Sequence, residues 1–205
     1  MDQAIRDCAA LVAESKRLVV FTGAGVSAES GIDTFRDPQD GLWAKYDPME
    51  LAHIDAFHRN PELVTRWYHW RFSRCAHCKP NPGHYALAAI ERASGDRDQA
   101  FALATQNIDG LHQAAGSRAV LELHGTILMW RSMATGAEYP IGEVNFEAFP
   151  PRCPAGGLLR PNVVWFGEAL PEDALVGAME AAAQCDTLLV VGTSAKIGRA
   201  SCRER

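Results

Sequence analysis

A strand-like apolar run followed by three glycines constrains this chain more than any other stretch. Leu18 to Phe21 is short, apolar and rich in β-branched residues, which is typical of a buried strand. Gly23, Gly25 and Gly31 follow, with small residues between them. Glycine lets the backbone turn sharply, and a helix that begins after such a turn presents free N–H groups to a phosphate. The G-x-G-x5-G spacing differs from the usual dinucleotide-binding pattern, so a plain strand-to-helix turn explains the stretch equally well.

Strand-like and helix-like segments alternate along the rest of the chain. An amphipathic helix is predicted over residues 2–16 and a second helix over about 172–184. The predicted later strands are Ala100–Thr105, Ala119–Leu123, Val163–Phe166 and Thr187–Val191. This alternation predicts an α/β fold with a doubly wound parallel (Rossmann-like) sheet.

Two excursions interrupt this pattern and predict a smaller inserted subdomain. We expect the Rossmann-like core to comprise about 1–36, 83–124 and 159–194, and the subdomain about 37–82 and 125–158. The first excursion is helical and rich in aromatic residues, whereas the second has little periodicity. Residues 1–205 thus form a single two-part domain, with 195–205 as an atypical tail.

Composition excludes several classes of protein. Of the 205 residues, 47% are hydrophobic and 22% charged, which is ordinary for a soluble globular protein. The net charge of −5 argues against nucleic acid as a partner. No apolar run approaches the roughly 18 residues of a membrane span, and no signal peptide begins the chain, so we expect no membrane association and a cytoplasmic location. The six cysteines follow no disulfide pattern and are expected to be reduced.

Five blocks of sequence occur in one order along the chain. They are Gly23–Ile32 with Phe35-Arg36-Asp37, Thr105–His112, Glu122–Gly125, Arg160–Glu168 and Val191–Ser194. Together they resemble the signatures of the sirtuins, the NAD-dependent protein-lysine deacylases, from about residue 10 to Ser194. The resemblance implies NAD as cofactor and acylated lysine side chains of other proteins as substrates.

The NAD site implied by the resemblance combines the glycine turn, the loop after it and the ends of two strands. Its residues are Gly23, Ala24, Gly25, Ser27, Ala28, Glu29, Phe35, Arg36, Gln106, Asn107, Ile108, Asp109, Gly192, Thr193 and Ser194. In sirtuins the residues that match Gln106, Asn107 and Asp109 line the pocket for nicotinamide and its ribose. By residue type alone, Asn107 or Asp109 also suits the N-cap of a following helix.

His124 is the candidate catalytic residue. A lone histidine after a strand is more often structural, but His124-Gly125 resembles the active-site motif of the family. An imidazole titrates near neutral pH and can take a proton from a ribose hydroxyl. The implied reaction joins the acyl oxygen to the ribose C1′ of NAD, expels nicotinamide, and yields free lysine and O-acyl-ADP-ribose.

Two segments are candidates for binding the substrate. Val164, Trp165, Phe166 and Gly167 match the family segment that pairs with the substrate peptide, although the same residues also read as an ordinary strand. Tyr68 and Arg71 lie three residues apart, on one face of a predicted helix. They resemble the Tyr-x-x-Arg pair by which class III sirtuins bind the carboxylate of succinyl- or malonyl-lysine. The alternative is a surface arginine beside a core tyrosine.

The chain departs from the family pattern in its cysteines. Most sirtuins hold a structural zinc on two C-x-x-C pairs, but Ser132 and Thr135 stand where the first pair is expected. Only Cys153 remains of the second pair, and a structural zinc needs about four ligands, so we predict no metal at this site. Cys75 and Cys78 form a separate C-x-x-C without a second pair, which is weak support for a metal.

The end of the chain departs as well. Residues 195–205 are basic, lack strand character and do not resemble the family, so we expect a truncated domain that is less stable and binds NAD more weakly than a longer version. The resemblance as a whole implies an NAD-dependent protein-lysine deacylase that removes acetyl and succinyl or malonyl groups. Two alternatives to this function remain. One is a non-catalytic NAD- or ADP-ribose-binding remnant, and the other is an ADP-ribosyl transferase. A hydride-transferring dehydrogenase fits the glycine spacing and the His-Gly motif least.

Overall fold

The computed structural model describes residues 3–32 and 46–193 of the chain. Its larger layer is a sheet with helices on both faces. The strands are β1 (Arg17–Thr22), β2 (Ala100–Thr105), β3 (Val120–Glu122) and β7 (Thr187–Val191), numbered by position in the whole chain. The helices are α1 (Gln3–Glu14), α5 (Pro82–Asp96), α6 (Leu111–Ala114) and α7 (Glu172–Gln184). These elements confirm the predicted helix–strand alternation, and two strands have the bounds expected from sequence.

The sheet is parallel, with β1 at its centre. The strand order is β3-β2-β1-β7, so β1 pairs with β2 along one edge and with β7 along the other. Leu18, Val19 and Val20 are all buried, although successive side chains of a strand point to opposite faces. Burial on both faces is typical of a parallel sheet covered by helices, and the predicted α/β fold is confirmed.

Helices cover both faces of the parallel sheet, as the packing of two neighbouring residues of β3 shows. Val120 packs with Val12 of α1 and Ile90 of α5 against the apolar cluster of Leu18, Val20, Leu87 and Leu103. Leu121 points the other way and lies against Gly177 of α7. Different helices therefore cover the two faces of the sheet, although Leu188 and Val190 of the edge strand β7 stay exposed.

The second, smaller part of the structure, which we call the small layer, combines helices with a short sheet. Its helices are α2 (Pro48–Leu51), α3 (Ile54–Arg59) and α4 (Pro61–Cys75), and its strands are β4 (Gly125–Ser132), β5 (Glu138–Pro140) and β6 (Leu159–Val163). The three strands form an antiparallel sheet in the order β5-β4-β6. The second excursion, which shows little periodicity in sequence, thus contains a strand pair that was not predicted.

The small layer is held together by aromatic side chains from both excursions. Asn60 begins α4 by accepting a hydrogen bond from the Leu63 N–H, and Pro61 occupies the first turn, where its missing N–H costs nothing. The helix directs Trp67 and Tyr68 inward, where they join a cluster with Trp130 and Trp165 in which all four side chains are buried. Large aromatic surfaces of this kind contribute much of the free energy of burial.

Two local predictions were wrong. The glycine turn is not followed at once by an α-helix, but by two single-turn 3-10 helices, Ala24–Val26 and Ala28–Ser30. The strand expected over Val163–Phe166 lies earlier, at Leu159–Val163, and pairs with β4 of the small sheet instead of joining the parallel sheet. Pro161 obscured this strand because proline is unusual inside a sheet; it lies opposite Trp130, next to a register shift.

Among the helices in residues 3–32 and 46–193, none combines the length and apolar character needed to cross a membrane.

Candidate active site

The turns after β1 and β7 touch each other at the carboxyl edge of the parallel sheet. The Gly25 N–H donates to the Gly192 carbonyl over 2.7 Å, and the Gly23 N–H donates to the carbonyl of Val191 over 3.3 Å. A Cβ on Gly23 would lie 2.8 Å from Cβ of Thr193. Gly192 adopts a φ of +65°, in the left-handed region that favours glycine. The glycines are therefore required by the close approach of two backbones.

This contact lies where the sheet topology opens a crevice. From β1 the next parallel strand in the chain, β2, lies on one side, and β7 lies on the other. Open α/β sheets bind ligands outside the carboxyl ends of the strands at such a switch point. Ala24 and Gly25 are exposed there, so the turn is accessible to a ligand. The small side chains and the position both fit a dinucleotide.

Polar side chains after β2 converge on the same turn. Asn107 is buried, and its Nδ2 donates to the carbonyl of Gly23 over 3.1 Å and to Oγ of Ser27 over 3.0 Å. Ser27 in turn donates to Oδ2 of Asp109 over 2.8 Å. Thr193 Oγ1 lies 3.5 Å from Oε1 of Gln106 and links the end of β7 to this group. Hydrogen bonds thus connect predicted cofactor residues from all three stretches, since Gly23 and Ser27 contact Asn107 and Asp109, and Thr193 contacts Gln106.

Asp109 also contacts the start of α6, although the N-cap of that helix is Gly110 and not Asn107 or Asp109 as the alternative interpretation had it. Its Oδ1 accepts a hydrogen bond from the Leu111 N–H over 2.9 Å, at the start of α6. One carboxylate oxygen therefore supports the helix, while the other binds Ser27. Asp109 thus supports the helix from the position before its N-cap, and its role in cofactor binding stays a prediction.

Two histidines that were not predicted lie beneath the network. The rings of His84 and His112 are both buried, with centroids 4.9 Å apart. Nε2 of His84 lies 3.4 Å from Oγ of Ser27, and its Nδ1 accepts from the Asn81 N–H over 3.3 Å. Because Ser27 gives its proton to Asp109, His84 must carry its own proton on Nε2. This arrangement suits a neutral imidazole.

Burial keeps both histidines neutral at physiological pH. It lowers the pKa of His84 below its ordinary value, and the charge of Asp109 offsets only part of this effect. Burial, with the neighbouring His84, lowers the pKa of His112 to about 4. His112 Nε2 lies 2.9 Å from Oγ1 of Thr22, which donates to Oγ1 of Thr105 over 2.8 Å. The side chains directly below the network are therefore polar but uncharged.

His124 follows β3, is half-buried and lies beside the end of β2. Its Nδ1 is 2.9 Å from the carbonyl oxygen of Gln106. A carbonyl only accepts, so Nδ1 carries the proton and Nε2 holds the free lone pair. Burial lowers the pKa of His124, and the hydrogen bond to Gln106 raises it by less. A neutral imidazole with a free Nε2 can accept a proton at physiological pH.

The predicted substrate segment runs between His124 and the helices of the small layer. The Val164 N–H donates to the carbonyl of His124 over 2.9 Å. Phe166 donates to the carbonyl of Ala52 over 2.8 Å and accepts from Ile54 over 3.2 Å. Phe166 and Gly167 are exposed, whereas Trp165 is buried. The segment is thus held by backbone hydrogen bonds at Val164 and Phe166, and its accessible part is the end formed by Phe166 and Gly167.

Tyr68 and Arg71 lie on α4 next to this segment. Tyr68 is buried, and its ring centroid is 6.0 Å from that of Trp165. Burial raises the pKa of Tyr68 far above its ordinary value, and the positive charge of Arg71 acts against this increase. The Arg71 guanidinium carbon lies 5.1 Å from the centroid of the Trp67 ring. The two side chains are therefore close enough to influence one another.

The remaining predicted residues divide into three groups. Ala28 and Glu29 lie in the second 3-10 turn and are exposed. Ile108 packs against the aromatic cluster of the small layer. Phe35, Arg36, Ser194 and the tail 195–205 lie outside the described residues.

The two turns at which the family pattern places its zinc cysteines lie next to each other. Oγ of Ser132 lies 3.5 Å from Sγ of Cys153 and accepts hydrogen bonds from the N–H groups of Ala134 and Thr135, each over 3.3 Å. Cys75 is partly buried, and burial raises its pKa to about 11. Across the described ranges, no group of three or more His, Cys, Asp or Glu residues is arranged to hold a metal ion.

Sequence reasoning missed the residues whose partners are distant along the chain. His84 lies three residues after Asn81, in a capping box that uses histidine in place of the usual Glu or Gln, so its pattern gave little signal. Thr22 and Thr105 end strands and read as ordinary strand residues. Arg160 and Glu168 belonged to a recognised block, but no role followed from their positions.

Comparison with known proteins agrees with this site. The profile described as "Sir2 family" matches residues 23–198. The "NAD-dependent protein deacylase 2" of Pyrobaculum aerophilum is 54% identical over 185 residues, covering 90% of this chain and 72% of the relative. The "NAD-dependent protein deacylase 1" of Pseudomonas aeruginosa is 52% identical over 193 residues, with coverages of 90% and 75%.

A solved structure gives the same result in three dimensions. The crystal structure of a Sir2 homologue in complex with NAD superposes with a TM-score of 0.83 at 45% identity, covering 95% of this chain and 73% of that one. Sequence and fold therefore agree over nearly the whole described chain. From the shared glycine turn, the strand-end network and these matches together, we conclude that the chain belongs to the Sir2 family.

Proposed function

We propose that this chain is an NAD-dependent protein-lysine deacylase whose substrates include acetyl-lysine and the acidic succinyl- and malonyl-lysine. The observation that carries the proposal is the orientation of His124, whose Nδ1 is bound to the Gln106 carbonyl at the edge of the crevice. The names of the relatives as NAD-dependent deacylases support the same function. So does the likeness to a Sir2 homologue complexed with NAD.

The residues around the crevice suit a dinucleotide. Gly23, Gly25 and Gly192 allow close backbone approach, and Ala24 adds little bulk. Asn107 and Asp109 lie directly against this turn and offer an amide and a carboxylate, groups that suit a nicotinamide amide and a ribose hydroxyl. NAD, when bound, supplies a ribose carbon that can accept the acyl oxygen and nicotinamide as leaving group.

His124 can act as the base in this reaction. Because Nδ1 is occupied by its hydrogen bond to the Gln106 carbonyl, Nε2 is the atom that takes the ribose proton. The same hydrogen bond orients the ring and stabilises the imidazolium that forms. The lowered pKa of His124 keeps Nε2 free before the reaction, at the cost of a weaker base.

The segment of Val164 to Gly167 is suited to bind the acyl-lysine peptide. It is attached to the His124 backbone at one end, so a peptide paired with it would lie beside the imidazole. Phe166 is 49% exposed and can cover an aliphatic lysine chain, which keeps water from the reacting atoms. Recognition by main-chain pairing would make the enzyme tolerant of peptide sequence.

Tyr68 and Arg71 support the choice of acidic acyl groups. They share one face of α4, and Tyr68 packs near Trp165 of the substrate segment. A guanidinium and a phenol hydroxyl are the donors that a terminal carboxylate of succinyl-lysine would require. An acetyl group offers no charge for Arg71, so the pair favours the acidic acyl chain.

The test is to incubate the purified chain with NAD and matched acetyl- and succinyl-lysine peptides and to identify the products by mass. We expect nicotinamide, free lysine and O-acyl-ADP-ribose. His124→Ala should lower the rate by about 10²–10⁴-fold with little change in NAD affinity, since it removes a general base. The exposed His77→Ala is the matched control and should keep full activity.

Other products would overturn the proposal in defined ways. ADP-ribosylated protein without deacylation would identify a transferase. NAD binding without turnover would identify a non-catalytic binding protein. Full activity in His124→Ala would show that another group acts as the base.

A further inference from the structure

An ion pair lies buried behind the substrate segment. The Arg160 side chain has no exposed surface, yet all of its nitrogens are used. Nη1 and Nη2 donate to Oε1 and Oε2 of Glu168 over 2.5 and 2.9 Å. Nη2 also donates to the Val163 carbonyl over 2.8 Å, and Nε donates to that of Pro161 over 3.3 Å. This is the two-pronged geometry in which arginine and carboxylate bind most strongly.

The pair also binds the backbone and the aromatic ring of the segment itself. Oε2 of Glu168 accepts the Trp165 N–H over 2.8 Å, and the Glu168 N–H donates to the Trp165 carbonyl over 3.0 Å. The Arg160 guanidinium lies over the Trp165 indole, 3.4 Å from its centroid. Consequently, Val163 and Trp165 are both bound to the same pair, and the turn from 163 to 168 is closed by side chains.

Stability alone is a poor explanation for this arrangement. Removing two charges from water costs free energy that their attraction often fails to recover, and apolar replacements of a buried pair are often neutral or stabilising. The small layer already has a large aromatic cluster beside the pair. What apolar residues cannot supply is a set of directed hydrogen bonds to two backbone positions of one short turn.

We propose that Arg160 and Glu168 are positioning residues that set the conformation of the segment Val164–Gly167 for the acyl-lysine peptide. Neither touches the substrate. They act through Trp165 and Val163. The hydrogen bond from the Val164 N–H to the His124 carbonyl then couples the position of the segment to that of His124. The inference rests on the proposed deacylase function, and it predicts an effect on the peptide substrate without an equal effect on NAD.

The test compares three variants with the wild type: Arg160→Met, Glu168→Gln and the double variant Arg160→Met/Glu168→Leu. Each is measured for melting temperature, for KM of an acetyl-lysine peptide and for KM of NAD. Fluorescence anisotropy of a labelled acetyl-lysine peptide gives its affinity independently of turnover. We expect both single variants to lose melting temperature, because Glu168→Gln removes the carboxylate that pairs with the buried Arg160, and Arg160→Met leaves Glu168 with the longer contact to Arg131, at 3.6 Å.

The double variant separates positioning from stability. It should recover most of the melting temperature, because neither member of the pair remains charged and Arg131, which also contacts Glu168 over 3.6 Å, is 40% exposed and can be solvated. It should nevertheless keep a peptide KM raised by about tenfold to a hundredfold, as expected for a misplaced binding element. The KM of NAD should stay near that of the wild type. Glu62→Gln, which breaks an exposed ion pair with Arg66 on α4, is the control and should change none of these values.

The outcomes are distinct. If the double variant recovers peptide affinity together with melting temperature, the pair only supports the fold and the inference is wrong. A parallel rise in the KM of NAD and of peptide would overturn it as well. If the wild type neither binds nor deacylates the peptide, the proposed function fails first, and the positioning role fails with it.

Discussion

The Gly25 N–H and the Gly192 carbonyl are joined by a hydrogen bond of 2.7 Å, although 167 positions separate the two residues in the chain. This bond brings the turns after β1 and β7 into backbone contact at the mouth of the crevice. It leaves no room for a side chain, since a Cβ on Gly25 would lie 2.7 Å from the Gly192 oxygen. Glycine is therefore a packing requirement on both sides of the contact.

Gly192→Ala should destabilise the protein and weaken NAD binding. The new Cβ would lie 2.1 Å from the Val26 nitrogen, and the φ of +65° would be strained. The expected loss is about 1–3 kcal/mol in the free energy of unfolding, measured by urea titration. Gly142→Ala is the control, because nothing lies within 4 Å of its Cβ position. Equal urea midpoints for the two variants would contradict this reading of the contact.

The pH dependence of activity should report the neutral state of His124. Its folded pKa lies below the ordinary value of 6.5, mainly because of burial. Activity requires the unprotonated ring, so it should be fully present above this pKa and decline as pH falls through it. The acid limb of kcat/KM for NAD should therefore have its midpoint below pH 6.5. A midpoint at or above 6.5, or an unchanged limb in the residual activity of His124→Ala, would argue against His124 as the base.

Arg71→Met should reduce the preference for acidic acyl groups. The arginine would lose a charge-assisted contact with the succinyl carboxylate, worth about 1.5–3 kcal/mol. That corresponds to roughly a tenfold to hundredfold drop in kcat/KM for succinyl-lysine, with acetyl-lysine unchanged or improved. Tyr68→Phe should have a smaller effect of the same sign, since the ring remains. Arg66→Met, at an exposed position of the same helix, is the control. If Arg71→Met lowers both substrates by the same factor, Arg71 supports the fold and does not select the acyl group.

Metal chelation should leave the protein intact. The turns at Ser132 and Cys153 are connected by their own hydrogen bonds, and Gly157 lies close enough to both that a Cβ there would clash with Ser132 Oγ at 2.9 Å. We expect far less than one zinc per chain by elemental analysis and no change in melting temperature after dialysis against a chelator. Stoichiometric zinc, or a lower melting temperature after dialysis, would show that ligands exist that the sequence does not suggest, with Cys75 and Cys78 the first to examine.

Sequence patterns located the parallel sheet well because its strands are short, continuous apolar runs. Ala100–Thr105 and Thr187–Val191 are strands with the predicted bounds, and the glycine turn follows β1 as expected. Burial on both faces imposes this composition on the central strand β1, and the edge strand β7 has it as well although Leu188 and Val190 are exposed, so the signal is local. The strand-end residues Asn107 and Asp109 were found for the same reason, as polar groups that directly follow a buried run.

The antiparallel strands were harder to predict because their residues obey no simple period. In β6 the side chain of Arg160 is buried and Pro161 occupies a strand position, which reads locally as a loop. Because apolar residues continue from the end of β6 to Phe166, the sequence pattern placed the predicted strand too far along the chain. The pairing with β4, which involves a register shift, comes from contacts across about thirty residues of chain and has no local signature.

The sequence by itself determined the family signature, the fold class and most of the residues that gather at the crevice. The tertiary structure alone decided how they are connected: which nitrogen of His124 carries the proton, that His84 lies beneath Ser27, and that Arg160 closes the turn through Glu168. The reason is physical. Apolar burial is encoded residue by residue, whereas a buried polar group is satisfied only by a partner that folding brings from elsewhere in the chain.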